Sequence, residues 1–373
     1  MTFSIHYNCY LISLIICVTT HESKHRMECW NLVWLHDRGW EEDYIPNQLL
    51  KNICLKSNVL RRNINENFTE QFQNNTIIVS RTLYSLVEVE KTIKFIEMFK
   101  RSNVLAFILI LIGDECQPDT KKCSGTYERL YLDVPLVIRN FWTHDCSMRP
   151  NVLQAPLGIA TAMGSSPISF QRVIAEAAPF HVRNFVWSFA SGRATDLRGQ
   201  FIDHLMLFQK KYPEYNYYLS YKGYRKQKPV NMSNILERSI FGACPEGVVA
   251  DTWRFYETME RGAIPIINST TLRNYYQNFI PCNITTNLLA SENPEVDMAI
   301  LMRDKRALGE QRNRLLAAYA AWRDDWRDLV ARRVYEVALL KEGRKWPTID
   351  TQNRTRSHGL LLNWDFESCS TKP

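Results

Sequence analysis

Short apolar, β-branched runs alternating with helix-period segments constrain this chain more than any other feature. Residues 75–80 (Asn-Thr-Ile-Ile-Val-Ser) read as a strand. Residues 85–100 follow, with Val87, Val89, Ile93, Ile96 and Met98 at helical spacing, and 104–112 form the next apolar run. Strand, helix and strand of these lengths make a βαβ unit, which imposes parallel pairing through a right-handed crossover. Ligands of such sheets sit at the carboxyl ends of the strands, where Gly113-Asp114-Glu115 falls. A short helix is expected over 127–132 and a further strand over 135–141. Residues 150–168, with Pro150, Pro156 and Pro167, read as loop and domain-edge material.

The alternation then restarts. A strand is expected over 184–190, a turn at Ser191-Gly192, a helix over 196–211 and a short strand over 218–220. Residues 235–241 lead into another strand. From Cys244 to Ile267 the chain reads as a loop, an amphipathic helix with Trp253, Tyr256 and Met259 on one face, and a strand at 264–267, with Gly262 stopping the helix. Residues 294–341 read as one or two long helices whose stripe of Leu315, Tyr319, Trp322, Trp326 and Leu329 marks core packing. The segment after Trp346 is polar. With 373 residues, 45% apolar and 23% charged, the chain is long enough for two domains with a large core.

Arg254 and Glu257 stand three residues apart on that amphipathic helix, so they share a face just past a glycine-bearing loop. A guanidinium keeps its charge and presents a planar fork of donors suited to phosphate oxygens. A carboxylate beside it can accept sugar hydroxyl hydrogens. The pair points to a sugar-nucleotide site, against the plainer reading of a helix-surface ion pair. Arg198 is a second candidate for the phosphates, against a surface arginine. Asp251 either touches substrate or caps the Arg254 helix.

Transfer of a glycosyl group also needs a base for the acceptor hydroxyl. Asp114 and Glu115 at a strand end could supply it, the neighbouring carboxylate raising one pKa; ordinary turn acids are the alternative, and His144 and Asp145 are further candidates. Several classes are excluded by absence. The sequence holds no Asp-x-Asp diphosphate clamp, no Gly-x-Ser-x-Gly elbow, no Gly-x-Gly-x-x-Gly turn, no Walker loop and no CxxC pair. Arginine charge could then do what a metal does elsewhere. The net charge of +7 favours anionic partners such as nucleotides and does not demand nucleic acid.

The block from Cys244 to Ile267, with Arg, Glu and then Gly-x-Ile-Pro in order, resembles the donor-binding segment of exostosin-like glycosyltransferases, and most resembles their ribitol xylosyltransferase branch. Gly113-Asp114-Glu115, Val137 to Trp142, Ala155-Pro156-Leu157-Gly158, Phe185 to Ala190 and Arg198 extend the likeness in the same order, over less than half of the chain. Ala190-Ser191-Gly192 departs from the Gly-Ser pair usual there.

The resemblance implies a GT-B-type α/β fold: two Rossmann-like domains facing a cleft, with C-terminal helices. The acceptor-side domain would span 25–180 and the nucleotide-sugar domain 181–345, with a leader at 1–20 and a polar tail at 346–373. It implies inverting transfer, of xylose from UDP-xylose, to a glycan or glycoprotein acceptor such as ribitol phosphate. Asp114 and Glu115 would be catalytic, and Ser188, Arg198, Asp251, Arg254 and Glu257 would bind the donor. No metal, no other cofactor and no nucleic acid are expected; other Golgi glycosyltransferases are candidate partners. Another UDP-sugar donor, or an inactive glycan-binding relative, are the alternatives.

Localisation signals agree with the Golgi lumen and the secretory pathway. Tyr10 to Val18 is an apolar run too short for the roughly 20 residues of a spanning helix and fits a signal-peptide core, or a short signal anchor. Sequons stand at Asn67, Asn74, Asn231, Asn268, Asn283 and Asn353. Eight cysteines lie outside the leader, and the pairings Cys29–Cys54, Cys116–Cys123 and Cys244–Cys282 are expected.

Overall fold

The computed structural model describes residues 29–35, 45–60, 75–80, 86–112, 127–140, 143–158, 182–191, 196–221, 232–247 and 250–340. Six strands form the first sheet: β1 (Trp30–Trp34), β2 (Leu55–Leu60), β3 (Thr76–Ser80), β4 (Phe107–Leu111), β5 (Leu136–Arg139) and β6 (Val152–Gln154). Its order is β2-β1-β3-β4-β5-β6, and every pair is parallel. Helix α1 (Leu86–Arg101) makes the expected crossover from β3 to β4; Val89, Ile93 and Ile96 are buried, while Val87 points to solvent. The short helices α2 (Arg129–Leu132) and α3 (His144–Ser147) follow β4 and β5.

Strands β7 (Phe185–Ser191), β8 (Tyr217–Tyr221), β9 (Ser239–Ala243), β10 (Ile264–Ile267) and β11 (Leu289–Ala290) form the second sheet, in the order β11-β10-β9-β7-β8 and again all parallel. Between them run α4 (Asp196–Lys211), α5 (Met232–Glu237), α6 (Trp253–Glu260), α7 (Ser269–Asn274) and α8 (Cys282–Thr285), and α9 (Pro294–Leu301) and α10 (Lys305–Leu340) follow β11. Two parallel sheets with helices and a helical C-terminal region are the α/β class expected from the sequence.

Residues 235–241 lead into β9 as expected, with Ile235 and Leu236 buried in α5 just ahead of it. Three local expectations are corrected. Val152 to Gln154, read as loop, is the edge strand β6. Ser191 ends β7 rather than opening a turn. The pairing Cys244–Cys282 is absent: Cys244 is a buried free thiol that donates to the Gly242 carbonyl at 3.2 Å, and Cys282 is disulfide-bonded elsewhere. Cys29–Cys54 is formed, tying the entries of the neighbouring strands β1 and β2. Cys116 and Cys123 lie outside the described residues, as do the leader, the tail and the sequons other than Asn268 and Asn283. Asn268 has both amide atoms engaged, its Oδ1 accepting from Thr270 N at 2.7 Å and its Nδ2 donating to Glu292 at 3.0 Å.

Helix α10, about 54 Å long at 1.5 Å per residue, joins the two sheets. Its first half belongs to the second sheet, where Arg312 donates to the Gly262 carbonyl at 2.8 Å and Gln311 to the Asn287 carbonyl at 3.1 Å. Its second half lies on the first sheet. There Arg327 bonds Gln48, Asn52 donates to Asp328 at 2.8 Å, and Arg333 donates to the Pro150 carbonyl at 2.8 Å. The predicted stripe of Leu315, Tyr319, Trp322, Trp326 and Leu329 is buried throughout. Gly309 sits within this helix with nothing within 4 Å of where a Cβ would stand. Gly309→Ala is therefore expected to raise stability by about 0.5–1 kcal/mol, read as a higher urea midpoint with unchanged slope.

Candidate functional site

In the second sheet the strand order reverses at β7, whose neighbours β8 and β9 lie on opposite sides. Helices connecting a parallel sheet leave on opposite faces at such a point, which opens a crevice at the carboxyl ends of the two strands. Here these ends are Ala190-Ser191 and Ala243-Cys244.

Helix α6 starts beside this crevice because Thr252 caps it, accepting a hydrogen bond from Arg254 N at 3.1 Å. Asp251 therefore does not cap the helix. The helix ends on Gly262, whose φ of 70° suits a residue without a Cβ, and the Ala263 N–H returns to the Thr258 carbonyl at 3.0 Å. Phe255, Tyr256 and Met259 are buried; Trp253, expected on the same face, is half-buried. Gly242 on β9 lets α6 come close to the sheet. A Cβ there would lie 2.4 Å from Thr258 Oγ1, a hydroxyl already held by the Arg254 carbonyl at 2.6 Å. Gly242→Ala is thus expected to cost about 1–3 kcal/mol and lower Tm, by pushing α6 off the sheet.

The guanidinium of Arg254 reaches back over the strand ends. Its Nη2 donates to the Ala190 carbonyl at 3.1 Å, and its Nη1 lies 2.7 Å from Glu257 Oε2, a charge contact without linear hydrogen-bond geometry. The arginine side chain is 19% exposed and the glutamate 4%. Arg198 comes to the same place from α4: Nη1 donates to Ser191 Oγ at 3.1 Å and Nε to the Glu246 carbonyl at 3.2 Å. Two guanidinium groups therefore bind consecutive residues at the end of β7.

Ser188 lies deeper, paired with Gly242 and Tyr218 in mid-strand; it is fully buried and its hydroxyl has no partner. It stands three residues short of the strand end and is not gathered with the two arginines. Cys244, beside Arg254 and Glu257, has its thiol pushed up to about 12 by burial, which leaves it protonated and inert.

Asp251 is buried at the seam between the two halves of the molecule. The Tyr276 hydroxyl lies 3.4 Å from its Oδ1, while the Tyr256 hydroxyl and the Leu157 N–H face the carboxyl without completing bonds of ordinary geometry to Oδ2. Burial raises its pKa to about 7, partly offset by these donors. Nearby, Glu260 meets Arg323 of α10 at 2.8 and 3.0 Å and accepts from the Tyr319 hydroxyl at 2.9 Å. That ion pair fixes α6 to the helix that crosses between the sheets.

Asp114 and Glu115 lie outside the described residues, just past β4. Asp145 is exposed on α3, and His144 begins that helix. Among the described residues, no three His, Cys, Asp or Glu side chains gather into a group able to hold a metal ion. One residue at the first sheet carried no sequence signal as a site residue on its own. Asn140, just past β5, lines a cavity with Ile110 to Ile112 and Ala155 to Leu157, and only this placement singles it out.

No protein-family model and no curated protein matches the chain. Among solved structures, it is similar to a chain of the GtfA/B complex, with a TM-score of 0.38 and 13% identity; the match covers 69% of this chain and 59% of that one. It is also similar to T4 phage BGT in complex with UDP and Mn2+, with a TM-score of 0.39 and 12% identity over 82% of this chain and 99% of that one. A third is the DNA-modifying enzyme β-glucosyltransferase, in the presence and absence of the substrate uridine diphosphoglucose, with a TM-score of 0.34, 12% identity, and coverage of 82% and 99%. Likenesses this distant define neither an activity nor a substrate.

Proposed function

We propose that this chain is an inverting, GT-B-type glycosyltransferase of the secretory pathway that moves xylose from UDP-xylose to a glycan acceptor such as ribitol phosphate on a glycoprotein. The observation that carries the reading is the convergence of Arg254 and Arg198 on Ala190 and Ser191, at the strand-order reversal of a parallel sheet. Positive charge fixed at that edge suits the diphosphate of a sugar nucleotide. The ordered sequence blocks shared with exostosin-like transferases point the same way. The choice of xylose and ribitol phosphate rests on that resemblance alone.

In the reaction, the acceptor oxygen forms a bond to the anomeric carbon as the bond from that carbon to the β-phosphate oxygen breaks. A single displacement inverts the anomeric centre. The acceptor proton passes to a carboxylate, for which Asp114 and Glu115 are the candidates, and UDP leaves with the bonding electron pair. Negative charge grows on the β-phosphate as it departs, and a guanidinium held in place beforehand stabilises it without reorganising. The Ala190 carbonyl holds Arg254 in place and the Glu257 charge lies against its other terminal nitrogen, while the thiol of buried Cys244 meets the Thr258 hydroxyl between β9 and α6.

A thermal-shift panel of sugar nucleotides on the secreted protein tests the proposal. UDP-xylose is expected to raise Tm more than UDP-glucuronate or UDP-galactose, since a ligand that binds only the folded state stabilises it. A larger shift with another UDP-sugar would move the donor assignment. No shift with any nucleotide would leave an inactive glycan-binding protein as the reading.

A further inference from the structure

A small cavity lies where the two halves meet α10. Its walls are Leu49 and Pro156 of the first half, Tyr256 of α6, and the face of α10 that carries Trp322, Arg323 and Arg327. It has room for one occupant of about the size of a water molecule. Among the described residues, three donors on that face are buried with no acceptor: Trp322 Nε1, Arg323 Nε and Arg327 Nε. Each guanidinium is anchored through an outer nitrogen. Arg323 Nη1 bonds both carboxylate oxygens of Glu260, at 2.8 and 3.0 Å, while Arg327 Nη1 donates to Asp324 at 2.8 Å and its Nη2 to Gln48. Arg323 Nε has Asp324 Oδ1 at 3.7 Å, too far for a hydrogen bond. The Tyr256 hydroxyl faces Asp251. Buried donors without acceptors are costly, so three around one cavity call for a bound acceptor.

We propose that this cavity binds one chloride ion, held by Trp322 Nε1 and the Nε–H groups of Arg323 and Arg327, and that the ion braces both halves of the molecule against α10. An indole N–H and a guanidinium N–H can only donate. A water molecule must place its own hydrogens on acceptors, and these groups offer none; a monatomic anion accepts from every side. Charge points the same way. The side chains of Arg323 and Arg327 are 12% and 10% exposed and Glu260 is buried, whereas Asp324 is 62% exposed and screened by solvent. Two desolvated cations therefore share one desolvated carboxylate, and one further negative charge balances them. The size of the cavity excludes phosphate and larger anions. Leu49 and Pro156 belong to the first half and Tyr256 to the helix that carries Arg254, so the ion sits at their common contact with α10. The inference does not rest on the transferase reading.

The test is the NMR linewidth of chloride itself, titrated as sodium chloride into the full chain at an ionic strength held constant with sodium gluconate. Excess broadening is expected to saturate with chloride and to be displaced by bromide. Trp322→Phe keeps an aromatic ring but removes the N–H, and is expected to weaken chloride binding about tenfold or more. Arg327→Lys keeps the charge and loses the Nε–H; the same weakening is expected, and it serves as the second variant should the first disturb folding. Thermal unfolding gives an independent reading, with the wild-type Tm about 2 °C higher in sodium chloride than in gluconate and the difference lost in the variants. Equal broadening in wild type and both variants would overturn the proposal. So would a wild-type linewidth and Tm that ignore the anion, which would leave water as the occupant. Broadening abolished by UDP would place the ion on Arg254 and Arg198, and would overturn it as well.

Discussion

Arg254→Ala is expected to abolish the UDP-xylose thermal shift and to lower affinity for the donor by about ten- to a hundredfold, since a charge-assisted phosphate contact at a partly buried site is worth about 1.5–3 kcal/mol. The substitution has a second consequence that must be separated from the first. Glu257, 4% exposed, would lose its cation. Removing one member of a buried ion pair costs up to about 3–5 kcal/mol. Tm should therefore fall in Arg254→Ala even without ligand. Joining Arg254→Met to Glu257→Gln removes both charges at similar volume and is expected to recover most of that Tm, while donor binding stays lost. Arg254→Lys retains the charge but not the fork that spans Ala190 and Glu257, and should bind the donor weakly. A double variant that regains both Tm and the donor shift would show the arginine to be structural only.

Asp251→Asn is expected to make the protein more stable at pH 8 than the wild type, by up to about 4 kcal/mol, with little difference near pH 4. The sign follows from burial, which raises this carboxyl to a pKa of about 7 in the folded state, against an ordinary value of 3.8. The folded protein thus binds the proton more tightly than the unfolded chain does. Its contribution is fully present below pH 3.8 and is lost as the pH rises through 7. Above that, the folded state holds a carboxylate among Tyr256, Tyr276 and Leu157 with only long contacts to it. Asparagine keeps the shape and carries no charge. Glu260 also has a pKa raised by burial, despite Arg323 opposing the shift, and it contributes the same sign of slope to both proteins. Urea unfolding at pH 4, 6 and 8 reads the difference. Parallel stability curves for wild type and variant would show that Asp251 does not titrate in this range.

Much of the strand–helix alternation was legible because the periods were clear. Ile77 to Val79 and Ile108 to Leu111 are buried on both faces, and continuous aliphatic runs are what such strands need. Helix α4 begins and ends where its sequence indicated, and Gly262 ended α6 through a backbone angle that a glycine tolerates best. Other features depend on distant partners. Val152 to Gln154 follows Pro150 and carries no alternation; it becomes a strand only because β5 offers an edge. Ile235 and Leu236 suit a strand or a helix equally in so short a run. The apolar stripe of α10 announced a buried helix, yet nothing along the chain indicated that its two ends rest on different sheets.

The site divides in the same way. The spacing of Arg254 and Glu257 predicted their contact, because residues three apart on a helix meet. The convergence of Arg198 with them depends on strand order, which local pattern does not contain. Ser188 entered as a donor-binding residue through the resemblance, but β7 is buried on both faces from Val186 to Phe189 and the serine lies within that packing. Cys244 and Cys282 form no pair because Cys244 is committed to the contact between β9 and α6, against Thr258.

Hydrogen–deuterium exchange with and without UDP-xylose would test the place of the donor most directly. Slowed exchange is expected at the end of β7 and across 244–257, including the loop that leads into α6, with the core strands of the first sheet unchanged. Protection confined to the first sheet, or none at all under saturating nucleotide, would contradict a diphosphate held by Arg254 and Arg198.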